Sequence, residues 1–472
     1  MAVSDGRITL KEAVEIGLAN NLELEALKKK VEVAKAKLVE AKRALFPTLQ
    51  ASMLPPQTSG GKQPVASTDA EFPSFRIFKT ESYKVAVNQP LYYSGELVLT
   101  VKQAEVNVQA VEKDYHKAKN ELIHETRTRY YAAVKAEYNA QYQMELYEET
   151  HPLANRLGEE HSQKLLSEVE FLNAKSKHQQ IFFQAEAAKN DLDVAALNLK
   201  QTLRLSTDKK VPVYLRLEFK KVSPTLDEVT KLSLKNNPEL QGKELAYEAA
   251  KLGVMIYQAK KGVHFDLKGS YGILGERIYD ARSYRAGQIG ERNGHIDFNR
   301  EKEWFLGVKG TLPVGPNSLE YERVKHVYAP TVIAPTGGSE DWSEKWTFNF
   351  LDKLSLITDE KSAQAAELQA KSDYEKAKAE VLSKLREDFY NLQKSLVQIE
   401  TSVSKLKYQE KQNAVLKYLL SMQETSPANF LDGLIEQAQN RFSFIQAVVD
   451  YHLAISSLNL SVGDPDHFET ES

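Results

Sequence analysis

Apolar residues recur at alternating spacings of four and three along two stretches of the chain. One stripe runs through Leu97, Val101, Ala104, Val108, Val111, Tyr115, Ala118 and Leu122, the other through Leu382, Leu385, Phe389, Leu392, Leu396, Ile399, Val403 and Leu406. A sustained 3.5-residue repeat predicts long helices that supercoil against neighbours. About 55 residues at roughly 1.5 Å each make a rod of order 80 Å, so the chain is expected to be elongated. The stripes read as packed seams rather than cofactor boxes.

The pattern occurs twice because the chain reads as a duplication. Thr9 to Leu24 aligns with Thr225 to Leu240, sharing the Thr-Leu-x-Glu start, a Leu, the Asn-Asn pair and a final Glu-Leu, eight identities in sixteen positions. Each copy opens with Thr followed three residues later by Glu, a capping box. Segments of period two follow, at Phe46–Leu54 and Tyr83–Asn88 in the first copy and at Phe265–Tyr271 and Trp304–Leu312 in the second. Strict alternation predicts strands.

Each long helix reverses at a second shared signature, Ser167-Glu168-Val169-Glu170-Phe171-Leu172-Asn173-Ala174 against Ser426-Pro427-Ala428-Asn429-Phe430-Leu431-Asp432-Gly433. Serine is a good N-cap, Glu170 would complete a capping box, and Pro427 sits where its missing amide costs nothing. The expected organisation is a first repeat over 1–222, with strands at about 46–54 and 82–91 and long helices at about 95–162 and 168–205. A second repeat covers 223–463, with strands at about 263–273 and 303–313 and helices at about 358–423 and 427–462; a polar tail occupies 464–472. Two inserts, Ile273 to Glu301 and Gly315 to Lys353, lengthen the second half.

Composition narrows the function. With 62 Lys+Arg against 65 Asp+Glu over 472 residues, there is no concentrated basic surface and no nucleic-acid partner is expected. The absence of cysteine excludes disulfides, thiolate metal sites and cysteine nucleophiles. No apolar run reaches the roughly 18–20 residues of a membrane-spanning helix. The ten histidines show no metal-ligand spacing. No Walker loop, Gly-x-Ser-x-Gly elbow, His-Glu-x-x-His helix or dinucleotide glycine triplet occurs, so no cofactor, metal or catalytic residue is expected and the chain reads as a non-enzyme. The opening Met1–Arg7 lacks the pattern of a secretory signal, which suits either a cytosolic protein or a mature form with a replacement Met.

Four strands with open edges are tolerable in water but not in lipid, where every backbone donor and acceptor must be paired. Three chains contributing four strands each would close a twelve-stranded barrel. The aromatics Phe46, Tyr83, Trp304 and Phe305 suit an interfacial girdle, with Tyr92 and Tyr93 at the rim.

In the order of these features, over nearly its whole length, the chain resembles the TolC-like outer-membrane efflux proteins. The resemblance rests on the duplicated Thr-Leu-x-Glu opening, the strand pairs, the Ser-initiated reversals and the Asp450-Tyr451, Leu458, Gly463 close. It implies a mainly α protein with a small β portion, a trimeric channel-tunnel whose four strands per chain form a shared twelve-stranded transmembrane β-barrel continued by an α-helical barrel. It further implies a location in the outer membrane extending into the periplasm, with no signal peptide in this sequence. The implied partners are outer-membrane lipid, a periplasmic adaptor (membrane fusion protein) and an energised inner-membrane transporter, for efflux or type I secretion through a passive exit duct.

The resemblance assigns the periplasmic entrance to Asp432, Asn429, Glu170 and Asn173. It assigns adaptor contact to the tips at Lys164, Leu165, Leu166 and Ser167 and at Gln423, Glu424, Thr425 and Ser426. The family commonly carries two aspartates three residues apart at the second reversal, where this chain has Asn429 and Asp432, and a glycine before the reversal that both tips lack. Capping alone also accounts for acidic residues in a first helical turn. Two other readings stay open: a soluble self-assembling coiled-coil scaffold, and an outer-membrane barrel with a structural role and no pump.

Overall fold

The computed structural model describes residues 8–65, 74–206, 221–281, 299–328, 340–422 and 424–468. In chain order its elements are α1 (Leu10–Asn20), α2 (Leu22–Arg43), β1 (Thr48–Val65), β2 (Ser74–Tyr93), α3 (Glu96–Ser162), α4 (Glu168–Leu203), α5 (Leu226–Asn236), α6 (Pro238–Ala259), β3 (His264–Ala281), β4 (Asn299–Val314), β5 (Asn317–Val327), β6 (Glu340–Asn349), α7 (Leu354–Ser421) and α8 (Pro427–Val462).

Contacts divide the chain into two compact units, each assembled from both halves of the sequence. One comprises Met1–Glu32, Gln109–Leu245 and Ser372–Ser472, the other Val33–Val108 and Ala246–Lys371. The first unit is a helical bundle. Its apolar clusters join Ile8, Tyr130, Val134, Leu199, Leu203 and Ile445 in one place and Val229, Leu385, Phe389, Leu392, Val448 and Leu458 in another. Most of the second heptad stripe is therefore core, as its period demands.

The paired asparagines divide each opening helix in two. Asn21 Oδ1 accepts from the Leu24 amide at 2.9 Å, and Asn237 Oδ1 accepts from Glu239 and Leu240 at 3.0 and 3.1 Å, so each caps the helix that follows. Asn20 Nδ2 donates to the Leu203 carbonyl at 3.1 Å and Asn237 Nδ2 to the Ser461 carbonyl at 3.0 Å, tying the opening helices to the ends of α4 and α8. The capping boxes behave less uniformly. At α1 both bonds form, Thr9 Oγ1 accepting from Glu12 N and Glu12 accepting from Thr9 N, whereas Thr225 accepts from Glu228 N.

Gly463 ends α8 at φ +91°, with its amide donating to the Asn459 and Leu460 carbonyls at 2.9 and 3.1 Å. A β-carbon there would lie 2.6 Å from the Asn236 carbonyl oxygen, so both conformation and space require glycine. Beyond it, residues 464–468 are docked rather than trailing. Arg127 donates to the Pro465 carbonyl at 2.6 Å and to Asp466 at 2.7 Å, and the Phe468 amide donates to Asn459 Oδ1 at 3.1 Å.

Among the described residues, the second unit contains one antiparallel sheet in the order β1-β2-β3-β4-β5-β6. It corrects the expectation of four strands per chain: the insert Gly315–Lys353 supplies β5 and β6 as a further hairpin. Its alternation was obscured by charge, because Arg323, Lys325 and Glu344 share a face with Leu319, Tyr321, Trp342, Trp346 and Phe348. The hairpin base is held firmly. Gly315 and Pro316 form the turn between Val314 and Asn317, Ser318 Oγ donates to Asp352 at 2.5 Å, and the Lys353 amide donates to the Pro316 carbonyl at 2.9 Å.

Candidate functional site: a two-faced sheet and two helical tips

Residues directly opposite in an antiparallel ladder point to the same side, so the register sorts the sheet into two faces. One row across four strands is Leu49, Val87, Gly269 and Leu306, and the next is Ala51, Val85, Tyr271 and Trp304. With Met53, Tyr83 and Ile273, this face is apolar and open to the surroundings: Leu49, Met53, Tyr271 and Leu306 are each more than half exposed. It continues on β5 and β6 through Tyr321 and Trp346, whose rings lie 4.5 Å apart, and Phe348. Two ion pairs lie on its β5–β6 part, Arg323 with Glu344 at 3.3 Å and Lys325 with Glu340 at 3.2 Å, and both cations lie over the Trp342 ring.

The opposite face is polar. Gln50, Ser270, Lys268 and Asn88 lie on it, and Lys84 reaches Glu303 at 2.5 Å across the intervening Gly272. A β-carbon on Gly272 would lie 2.6 Å from Lys84 Cγ and 2.4 Å from the Tyr83 carbonyl oxygen, so glycine clears the path for that pair. His326 Nε2 lies 4.0 Å from the same Glu303 carboxylate. Adjacent residues alternate, so Trp304 belongs to the apolar face and Phe305 to the polar one, where its ring meets His326 edge-on at 5.9 Å. Tyr83 is on the apolar face. Phe46 precedes β1 and is exposed.

An apolar sheet face this broad, exposed and backed by a polar one is unusual for a surface meeting water. It matches the alternation of a membrane barrel, apolar outward and polar inward. Among the described residues, no helix is long and apolar enough to cross a membrane.

The tips lie in the helical unit. At the first, Lys164 takes φ +61°, the left-handed conformation usually left to glycine, and the Leu165 amide donates back to the Glu160 carbonyl at 2.9 Å. Leu165 is exposed and Leu166 packs against the nearby apolar cluster. Ser167 Oγ accepts from the Glu170 amide at 3.2 Å and donates to the Glu170 carboxylate at 2.8 Å. Glu170 therefore serves the cap through the serine hydroxyl, while Asn173 is exposed one residue before buried Ala174. At the second tip Ser426 Oγ accepts from the Asn429 amide at 3.3 Å. The Glu424 amide donates to the Leu419 carbonyl at 3.0 Å, Thr425 is half-buried, and Gln423 lies outside the described residues.

Asp432, the carboxylate of the second reversal, forms an ion pair with Lys177 of α4. Neither the pairing nor the anchor behind it was read from the sequence. Asn413 Nδ2 donates to the Gly433 carbonyl at 2.9 Å and to Gln437 Oε1 at 2.7 Å, and Gln409 Nε2 donates to the same carbonyl at 3.3 Å. These buried amides fasten the second and third turns of α8 to α7. The available signal was Gln409 and Asn413 four residues apart on one helix face, a polar interruption of an otherwise apolar seam.

Comparison with known proteins agrees with this geometry. The Outer membrane efflux protein family matches residues 14–206. Among solved structures, the chain is similar to the Campylobacter jejuni CmeC outer membrane channel, at 14% identity and a TM-score of 0.72, covering 98% of this chain and 87% of that one. The open state of the Neisseria gonorrhoeae MtrE outer membrane channel is similar at 12% identity and a TM-score of 0.70, with 100% and 95% covered. The outer membrane protein VceC from Vibrio cholerae is similar at 11% identity and a TM-score of 0.69, with 96% of each chain covered. A comparison with curated protein sequences finds no match. The first half of the chain thus matches the outer membrane efflux protein family, and the chain as a whole has the fold of the TolC-like channels.

Proposed function

We propose that this protein is a passive exit duct of the outer membrane, a homotrimer whose sheets join into one transmembrane barrel and whose helices continue the conduit into the periplasm. The observation that carries the proposal is the exposed apolar face of the sheet with a polar face behind it. Unpaired edges at β1 and β6 are tolerable in hydrocarbon only if copies of the chain pair them. The helices supply a second argument. Tyr390, Val397, Tyr408, Val415 and Tyr418 of α7 are exposed at heptad-compatible spacing, as are Val169, Leu172, Phe183 and Leu197 of α4. Such stripes suit helix seams between copies.

A water-filled conduit has no energy source of its own, so transport is assigned to an inner-membrane pump, joined through a periplasmic adaptor at the tips around Lys164–Ser167 and Gln423–Ser426. The entrance role belongs to Asp432, Asn429, Glu170 and Asn173. The two sequence halves are taken as structural repeats, each contributing paired opening helices, strands and two long helices. A soluble coiled-coil scaffold accounts for the stripes but gives no reason for the open apolar sheet.

The test is extraction in detergent followed by mass measurement and planar-bilayer recording. A trimer near three times 53.3 kDa that conducts ions is expected. A water-soluble monomer or dimer without conductance would overturn the proposal.

A further inference from the structure

Among the described residues the sheet has six strands, and the two extra ones change how copies of the chain can meet. We infer that three copies close an eighteen-stranded barrel, with β6 of each copy pairing with β1 of the next. The inference rests on the duct reading and concerns the partner surface within it.

The outer edge of β4 is occupied. Its residues Trp304 to Val314 are in register with Val327 to Asn317 of β5, so a neighbouring chain cannot use that edge without displacing the hairpin. Displacement is opposed at the hairpin's base. The Gly315–Pro316 turn leaves no slack, and the base is bonded to the segment leading into α7. Asn317 Oδ1 accepts from the Leu351 amide at 2.9 Å, Ser318 bonds Asp352, and Asn349 Nδ2 donates to Ser318 at 3.2 Å. Among the described residues, the edges left for a partner are those of β1 and β6.

The hairpin also has the form of barrel wall. β5 and β6 are 11 and 10 residues long, close to the roughly 9–11 residues that span a bilayer when tilted. Trp342, Trp346 and Phe348 extend the apolar face, while Asp341, Ser343, Lys345 and Thr347 extend the polar one. Trp342 and Trp346 are 59% and 66% exposed, a surface suited to lipid and poorly suited to water. Six is an even number, so β6 runs opposite to β1 and the new junction is antiparallel like the rest of the sheet. At a strand spacing of about 4.8 Å and a tilt of about 40°, eighteen strands enclose a backbone cylinder about 36 Å across, against about 24 Å for twelve.

The experiment is to count strands in a cryo-EM map of the detergent-extracted wild-type protein. A trimer with eighteen strands is expected. A trimer with twelve, the β5–β6 hairpin lying outside the ring, would overturn this inference and leave the duct intact; a particle that is not a membrane trimer would overturn the duct itself. The chain has no cysteine, which permits a second check by crosslinking. Cysteines at positions 341, 343, 345 or 347 of β6, combined with one at 50 or 52 of β1, should give covalently linked trimers on oxidation. Cysteines at positions 309 or 311 of β4 should not link to the same β1 positions. Links from β4, or none from β6 across the scan, would contradict the junction.

Discussion

Lys177 of α4 and Asp432 of α8 form an ion pair across the two helices that begin at the tips. The carboxylate expected to charge the entrance is therefore matched by a cation within its own chain. Their side chains are 28% and 50% exposed, so the pair contributes less than about 1 kcal/mol to stability. Under the proposed entrance role, its effect is on the charge that a permeating ion meets. Lys177→Gln should leave an unmatched carboxylate and shift the reversal potential in a salt gradient toward cation selectivity. Asp432→Asn should shift it the other way. Equal reversal potentials in both variants and the wild type would confine Asp432 to a structural role.

The two faces of the sheet predict opposite tolerance of charge at neighbouring strands. Val85 lies between Ala51 and Tyr271 on the apolar face, whereas Gln50 lies opposite Ala86 on the polar one. In a bilayer an arginine on the lipid side costs about 2–4 kcal/mol near the midplane, while a lumen position is far more tolerant. Val85→Arg should lower the yield of heat-resistant trimer in the outer-membrane fraction by at least about tenfold. Gln50→Arg should change it little. Equal yields would mean that the face near Val85 does not meet lipid.

The physical signals differed in how far they could be read from residues alone. Heptad stripes such as Leu385, Phe389 and Leu392 declare a helical seam because the period is regular and long. The segments around Val85 and Tyr271 declare strands because nothing charged breaks their apolar face. β5 and β6 escaped because Arg323, Lys325 and Glu344 sit on that face as pairs, and a pair is invisible until the register is known. The same limit applies at the tip. Glu170 and Asp432 were read as candidate charges, but whether a charge is free depends on a partner 255 residues away at Lys177. Lys164 illustrates a conformational version of it, a left-handed residue where the expected glycine was missing.

The docking of residues 464–468 of the polar tail gives a stability prediction. The Arg127 guanidinium is nearly buried and donates to the Pro465 carbonyl and the Asp466 carboxylate, while Asn459 Nδ2 also donates to the Pro465 carbonyl at 2.9 Å. Removing residues 464–472 leaves that buried cation without two of its acceptors, at a cost of about 1–3 kcal/mol. The truncated protein should lose about that much stability against denaturant, with conductance retained. A single Asp466→Ala change should cost much less, because Asp466 itself is largely exposed. If truncation leaves stability unaltered, the docking contributes nothing.

The pH dependence of stability should carry a component from His452. Its ring stacks on Tyr131 at 5.2 Å with an interplanar angle of 10°, and burial pushes its pKa down to about 4. The unfolded chain holds the same histidine near its ordinary pKa of about 6.5. Between these values the unfolded state binds a proton that the folded state refuses. The contribution is thus fully present above about pH 6.5 and is lost as pH falls toward 4, reaching about 2–3 kcal/mol per chain. Asp388 and Asp450 oppose it, since burial raises both carboxyls and their protonation on acidification favours the folded state. The difference between the wild type and His452→Phe isolates the histidine, because phenylalanine keeps a ring against Tyr131 and cannot titrate. The apparent unfolding midpoint of the wild type should fall more steeply from pH 7 to 4.5 than that of the variant. Parallel curves would mean that His452 is protonated in the folded protein, contrary to its burial.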